Sequence, residues 1–88
     1  MKLTNEDKAL LLDWGYTEKD FAQIEEAFKK SKTTYTLGSQ RIVREKAIAV
    51  LGRRNYLSGI ARSAFHYTAA RETADGQFVY FDSSKLFK

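Results

Sequence analysis

Apolar positions recur at helical spacing in several stretches of this chain and bunch into short β-branched or aromatic runs in two others. The first stretch predicts a helix from Asn5 to Trp14. Thr4 stands in the N-cap position with Asp7 three residues on, and Gly15 suits the left-handed residue that follows a helix. Thr17 and Asp20 repeat that opening. They predict a second helix to about Lys30, with Phe21, Ile24, Ala27 and Phe28 on one face. Its acids come early and Lys29 and Lys30 last, which matches the helix dipole.

The run Thr33-Thr34-Tyr35-Thr36-Leu37 reads as a short strand ending at Gly38. Ser39 is expected to cap a third helix through Val50 or Leu51, with Val43, Ala47, Val50 and Leu51 inward and Gly52 as its stop. A fourth helix is predicted over Asn55 to Arg71, with Leu57, Ile60, Ala61, Ala64 and Thr68 on one face. Gly59 interrupts that pattern at a cost of roughly 1 kcal/mol relative to alanine. Either close packing compensates or the helix begins after Gly59. Asp75-Gly76 signals a turn. Gln77 to Phe81 then reads as a strand, apolar on both sides and well buried, which pairs with residues 33–37 or across a homodimer. The tail either docks through Leu86 and Phe87 or frays. The expected fold class is α+β, mainly helical, with about four helices and a small two-stranded β element in the order ααβααβ, in a single domain spanning 1–88.

Composition narrows the function classes. Eighty-eight residues, 43% hydrophobic and 30% charged, suit one small globular core and no deep cleft between domains. Twelve aromatic residues (Phe 6, Tyr 5, Trp 1) help so small a core bury enough surface. Cysteine is absent, which excludes disulfides and thiolate metal sites. No apolar run approaches the roughly 20 residues that span a bilayer, and the acidic, polar start is unlike a signal peptide. The expectation is a soluble, cytoplasmic protein without a membrane partner. No P-loop, dinucleotide glycine fingerprint or zinc spacing is present, so neither an enzyme nor a cofactor is expected.

Charge changes the picture most. All six arginines (Arg41, Arg44, Arg53, Arg54, Arg62 and Arg71) fall in one window with Lys46, and only Glu45 opposes them there. Residues 1–30 instead hold seven acids against five lysines. The net charge of +4 thus conceals a basic segment and an acidic one. Arginine forks onto phosphate or carboxylate, so the basic segment points to an anionic partner, with pairing to the acidic helices as the structural alternative. Phosphate-contact candidates are Arg41, Arg44, Lys46, Arg53, Arg54 and Arg62, with His66 and Tyr67 adding local contacts.

Arg53-Arg54-Asn55 gives a short turn between two helices, as in a helix–turn–helix. However, Ile48 stands where a small residue is usual, and the second helix offers few base-reading side chains. Phosphate contact without strong sequence specificity is favoured. His66, the only histidine, has no carboxylate within four residues and only Ser63 as a neighbouring nucleophile, so it reads as structural, with no metal site. Tyr56, Phe65 and Tyr67 interleave with the arginines. Rings at this spacing mostly build core, and Tyr67 falls off the apolar stripe. Asp13, Asp20, Glu25 and Glu26 read as a solvated helix face rather than an acid–base pair.

The block RIVREKAIAVLGRRNYLSGIARSAFHYTAARE (residues 41–72) with GQFVYFDSSKLF resembles small proteins of phages and mobile elements, including anti-defence proteins of the anti-CRISPR kind. The resemblance covers about half of the chain and carries no motif by which residue roles transfer. It implies a compact, cofactor-free protein that acts by binding. Many anti-CRISPR proteins are acidic DNA mimics, and this basic chain departs from that pattern. Two functional expectations follow. One is a non-enzymatic domain that binds nucleic acid or a nucleoprotein complex through segment 41–71. The other is an inhibitor that binds a bacterial defence protein complex.

Overall fold

The structure, a computed structural model, describes residues 2–29 and 32–87. Helix α1 (Asn5–Asp13) starts on the expected capping box: Thr4 Oγ1 accepts from the Asp7 amide at 3.1 Å and Asp7 Oδ2 accepts from the Thr4 amide at 3.0 Å. The second helix is split. A 3-10 turn at Glu18–Asp20 leads into α2 (Phe21–Phe28), and the expected end at Lys30 lies outside the described residues. Strand β1 (Thr34–Leu37) follows, then β2 (Gln40–Ile42), α3 (Arg44–Leu51), α4 (Arg53–His66), β3 (Thr68–Glu72) and β4 (Phe78–Asp82). A 3-10 turn over Ser84–Phe87 docks the tail, with Leu86 packed against the core.

Two expected helices are thus trimmed, and the sheet is larger than predicted. Ser39 does not cap a helix. Leu37 pairs with Gln40, so Gly38 and Ser39 form a two-residue hairpin turn in which Gly38 supplies the positive φ of 62°. The fourth helix stops at His66 instead of Arg71, because residues 68–72 gain ladder partners along β4. Tyr67 makes the corner at φ 71°, a conformation that costs about 1–3 kcal/mol outside glycine. The Ser83 amide donates to its carbonyl at 2.7 Å, and its ring lies 4.2 Å from that of Phe87. The two-stranded element becomes a four-stranded antiparallel sheet in the order β2-β1-β4-β3. The predicted pairing of the last strand with residues 33–37 is present, with Tyr35 opposite Phe81.

Helices cover one face of this sheet. The row Ile42–Tyr35–Phe81–Ala69 and the row Gln40–Leu37–Val79–Arg71 point inward. Against them lies α4, with Tyr56, Leu57, Ile60, Ala61 and Ala64 all fully buried, and α2 adds Ile24, Ala27 and Phe28. Gly59 resolves in favour of close packing: an added Cβ would sit 2.3 Å from Cζ of Phe81. The rings of Phe28, Tyr35, Tyr56 and Phe81 meet at centroid separations of 5.5 to 5.9 Å. Their two hydroxyls satisfy each other at 2.6 Å, and burial pushes both tyrosine pKa values up. A second buried polar cluster joins Thr33, Ser83 and Ser63 through hydroxyl contacts of 2.6 and 2.8 Å. The carbonyls of Ala27 and Ile60 close its two ends. These three hydroxyls stitch the end of α2, helix α4 and the end of β4 together.

Strand β4 is not buried on both sides. Its residues alternate, Val79 and Phe81 inward and Phe78, Tyr80 and Asp82 outward, because none of the described elements covers the second face of the sheet.

Candidate anion-binding interface

The structure divides the six arginines into three that the fold holds and three that face solvent. Arg53, at the first turn of α4, reaches across to Asp7 of α1. Its Nη2 donates to Asp7 Oδ2 at 2.7 Å and its Nε to Oδ1 at 3.4 Å. Asp7 is 3% exposed, and burial alone would push its carboxyl up. The hydrogen bonds from Arg53 and the Thr4 amide outweigh that and hold the pKa below the ordinary value, while Arg53 is raised in turn. Arg44 opens α3 and donates from Nη2 to the carbonyl of Phe28, next to the Tyr35 hydroxyl. Arg71 is on the inward row of edge strand β3. Its Nε donates to Ser58 Oγ at 2.9 Å, Nη2 to Ser58 O at 3.3 Å and Nη1 to Ala70 O at 2.8 Å.

Arg41, Arg54 and Arg62 are exposed. Arg41 stands on β2, opposite Thr36. Arg54, Ser58 and Arg62 follow one another at four-residue steps along α4, which places them on a single stripe. Because Arg71 is clamped onto Ser58, its guanidinium joins that stripe between the other two. The guanidinium of Arg54 lies over the Trp14 ring at 5.9 Å, and Tyr16 stacks on Phe65 at 6.0 Å. The stripe is therefore bordered by aromatic surface from the loop after α1. No carboxylate pairs with Arg54, Arg62 or Arg71 among the described residues. Partial burial, followed by the like charge of Arg62, lowers the pKa of Arg71.

The remaining candidates scatter. Lys46 is exposed on α3 and His66 is exposed at the C-terminal end of α4. Tyr67 is exposed as expected, at 53%, but leans on Phe87. Ser63 is fully buried and donates to Ile60 O, so it forms no nucleophile pair with His66. No cluster of three metal-ligating side chains occurs among the described residues. Nor does α4 have the free surface of a groove-reading helix: α1, α2, α3, β3 and β4 all pack on it, leaving the narrow arginine stripe. Sequence reading ranked Arg71 below Arg44 and Arg53. The four-residue spacing of Arg54, Ser58 and Arg62 was a legible signal, whereas the clamp of Arg71 on Ser58 depends on β3. No helix of the described residues is long and apolar enough to cross a membrane.

Comparison with known proteins gives no match to a family model, a curated protein or a solved structure.

Proposed function

We propose that this protein is a non-enzymatic binding domain for nucleic acid, alone or within a nucleoprotein complex, and that its phosphate contacts centre on Arg54, Arg62 and Arg71. The observation that carries the reading is the unneutralised stripe on α4. Arg71 is disfavoured in its charged form by partial burial and then by the like charge of Arg62, and no carboxylate pairs with either among the described residues. An anion bound there removes the repulsion. Arg71 is also preorganised: three of its five N–H groups are spent on Ser58 and Ala70, which fixes the fork and leaves the others to donate. Exposed Arg41 and Lys46 extend the positive surface elsewhere.

The test is binding of short labelled DNA and RNA across a salt series. Affinity should fall steeply with salt, and the slope should shrink by roughly one contact's worth for each of Arg54→Gln and Arg62→Gln. Salt-insensitive binding, or full affinity in the double variant, would defeat the proposal. If nuclease treatment of a lysate removes no partner and a stoichiometric bacterial defence protein remains bound, the inhibitor reading replaces it.

A further inference from the structure

The sheet's open face has no part in the arginine stripe, and its chemistry is specific. Tyr80 and Phe78 project from central strand β4, 48% and 43% exposed, with ring centroids 6.3 Å apart and planes inclined by 30°. Cross-strand pairing defines their surroundings. Arg41, Thr36, Tyr80 and Ala70 form one row across all four strands, and Thr34, Asp82 and Thr68 form the next. Glu72 pairs with Phe78 at the far end. Beside Tyr80 the threonines and Ala70 floor an open concavity of about 490 Å³.

Resting on the nucleic-acid reading above, we infer that this face is a stacking platform for single-stranded nucleic acid, with bases on Tyr80 and Phe78 and the backbone passing the Arg41 side. Neighbouring rings on one strand present two flat π surfaces at successive outward positions, and any base can stack on them. The hydroxyls of Thr34, Thr36 and Thr68 can donate to or accept from any base edge. The carboxylate of Glu72, on edge strand β3 at the side away from Arg41, can accept from exocyclic amino groups. That distribution of charge orients the strand, since phosphates are drawn to Arg41 and repelled from the β3 side. A protein occupant is a poorer match. The outward positions of the four strands hold no leucine, isoleucine, valine or methionine, the nearest aliphatic side chain being Val43 just past β2, and covering the face with an apolar partner would strip water from the Glu72 carboxylate beside Phe78. A duplex is a poorer match still, because its base faces are already stacked inside the helix.

The experiment compares a labelled oligothymidylate, an abasic strand of equal length and a duplex by fluorescence anisotropy, with parent, Phe78→Ala, Tyr80→Ala, Tyr80→Phe and Arg62→Gln proteins. The base-bearing strand should bind at least tenfold tighter than the abasic one. Each alanine variant should lose roughly five- to 150-fold on the oligothymidylate and little on the abasic strand. Tyr80→Phe should bind as the parent does, because it keeps the ring, and Arg62→Gln should weaken the abasic strand and the duplex more than the oligothymidylate, because the platform stands apart from the stripe on α4. Equal binding of all probes, untouched by the ring variants but reduced by Arg62→Gln, overturns the platform and leaves the phosphate-binding reading standing. No binding of any probe by the folded parent overturns both. A concentration-dependent dimer abolished by Tyr80→Ala overturns the platform by giving the face to a second copy of the chain.

Discussion

Arg53 and Arg54 are adjacent in sequence and opposite in role. Arg54 lies exposed over Trp14, whereas Arg53 is committed to the nearly buried carboxylate of Asp7. Replacing Arg53 leaves that carboxylate with only its Thr4 contacts, so Arg53→Met should cost about 1–3 kcal/mol in chemical denaturation. The same pair sets an acid limit. The folded-state pKa of Asp7 lies below its unfolded value, so its contribution is complete above the unfolded pKa and is lost as pH falls through the folded one. Stability should therefore decline below about pH 4, and Asp7→Asn should lower stability at neutral pH while flattening that decline. An unchanged acid limb in Asp7→Asn would remove the pair from this account. Nothing local in the sequence identifies the partnership, because 46 residues separate the two side chains. The capping role of Asp7 was legible for the opposite reason: its partner Thr4 is three residues away.

At the scale of elements, the joint between α4 and the sheet is set by Gly59 against Phe81. Helix propensity alone says that Gly59→Ala should stabilise by roughly 1 kcal/mol. The packing reverses that sign: the Phe81 ring is 1% exposed and held edge-on by Tyr35, so it cannot swing aside. Gly59→Ala should destabilise by about 1–3 kcal/mol, and Phe81→Leu in the same chain should recover part of the loss. Additive effects of the two substitutions would show that they do not touch. Element boundaries followed the same division between local and distant causes. The capping boxes at Thr4 and Thr17 and the turn at Asp75-Gly76 were readable, since each rests on residues within one turn. The stripe of Leu57, Ile60, Ala61 and Ala64 continues to Thr68 and so reads as helix through β3, and only pairing with β4 makes that segment a strand.

For the whole molecule, the unneutralised stripe predicts a trade between stability and binding. Arg62→Gln relieves its repulsion with Arg71 and should leave the protein as stable as the parent or a few tenths of a kcal/mol more stable at low salt, while weakening polyanion binding. Polyphosphate or single-stranded DNA should raise the parent's Tm by mass action and raise that of Arg62→Gln less. A variant that is both destabilised and unchanged in binding would mark Arg62 as a structural residue like Arg53. The sequence by itself determined the α+β class, the capping boxes at Thr4 and Thr17, the pairing of the last strand with the first, the basic window and the exposure of Tyr67. Each depends on residue type, short-range periodicity or total charge. Tertiary structure decided which arginines remain free, that a second hairpin strand joins the sheet from each flank, and that Phe78 and Tyr80 face outward. Those outcomes turn on which surface covers which, and burial is settled by contacts between residues far apart in the chain.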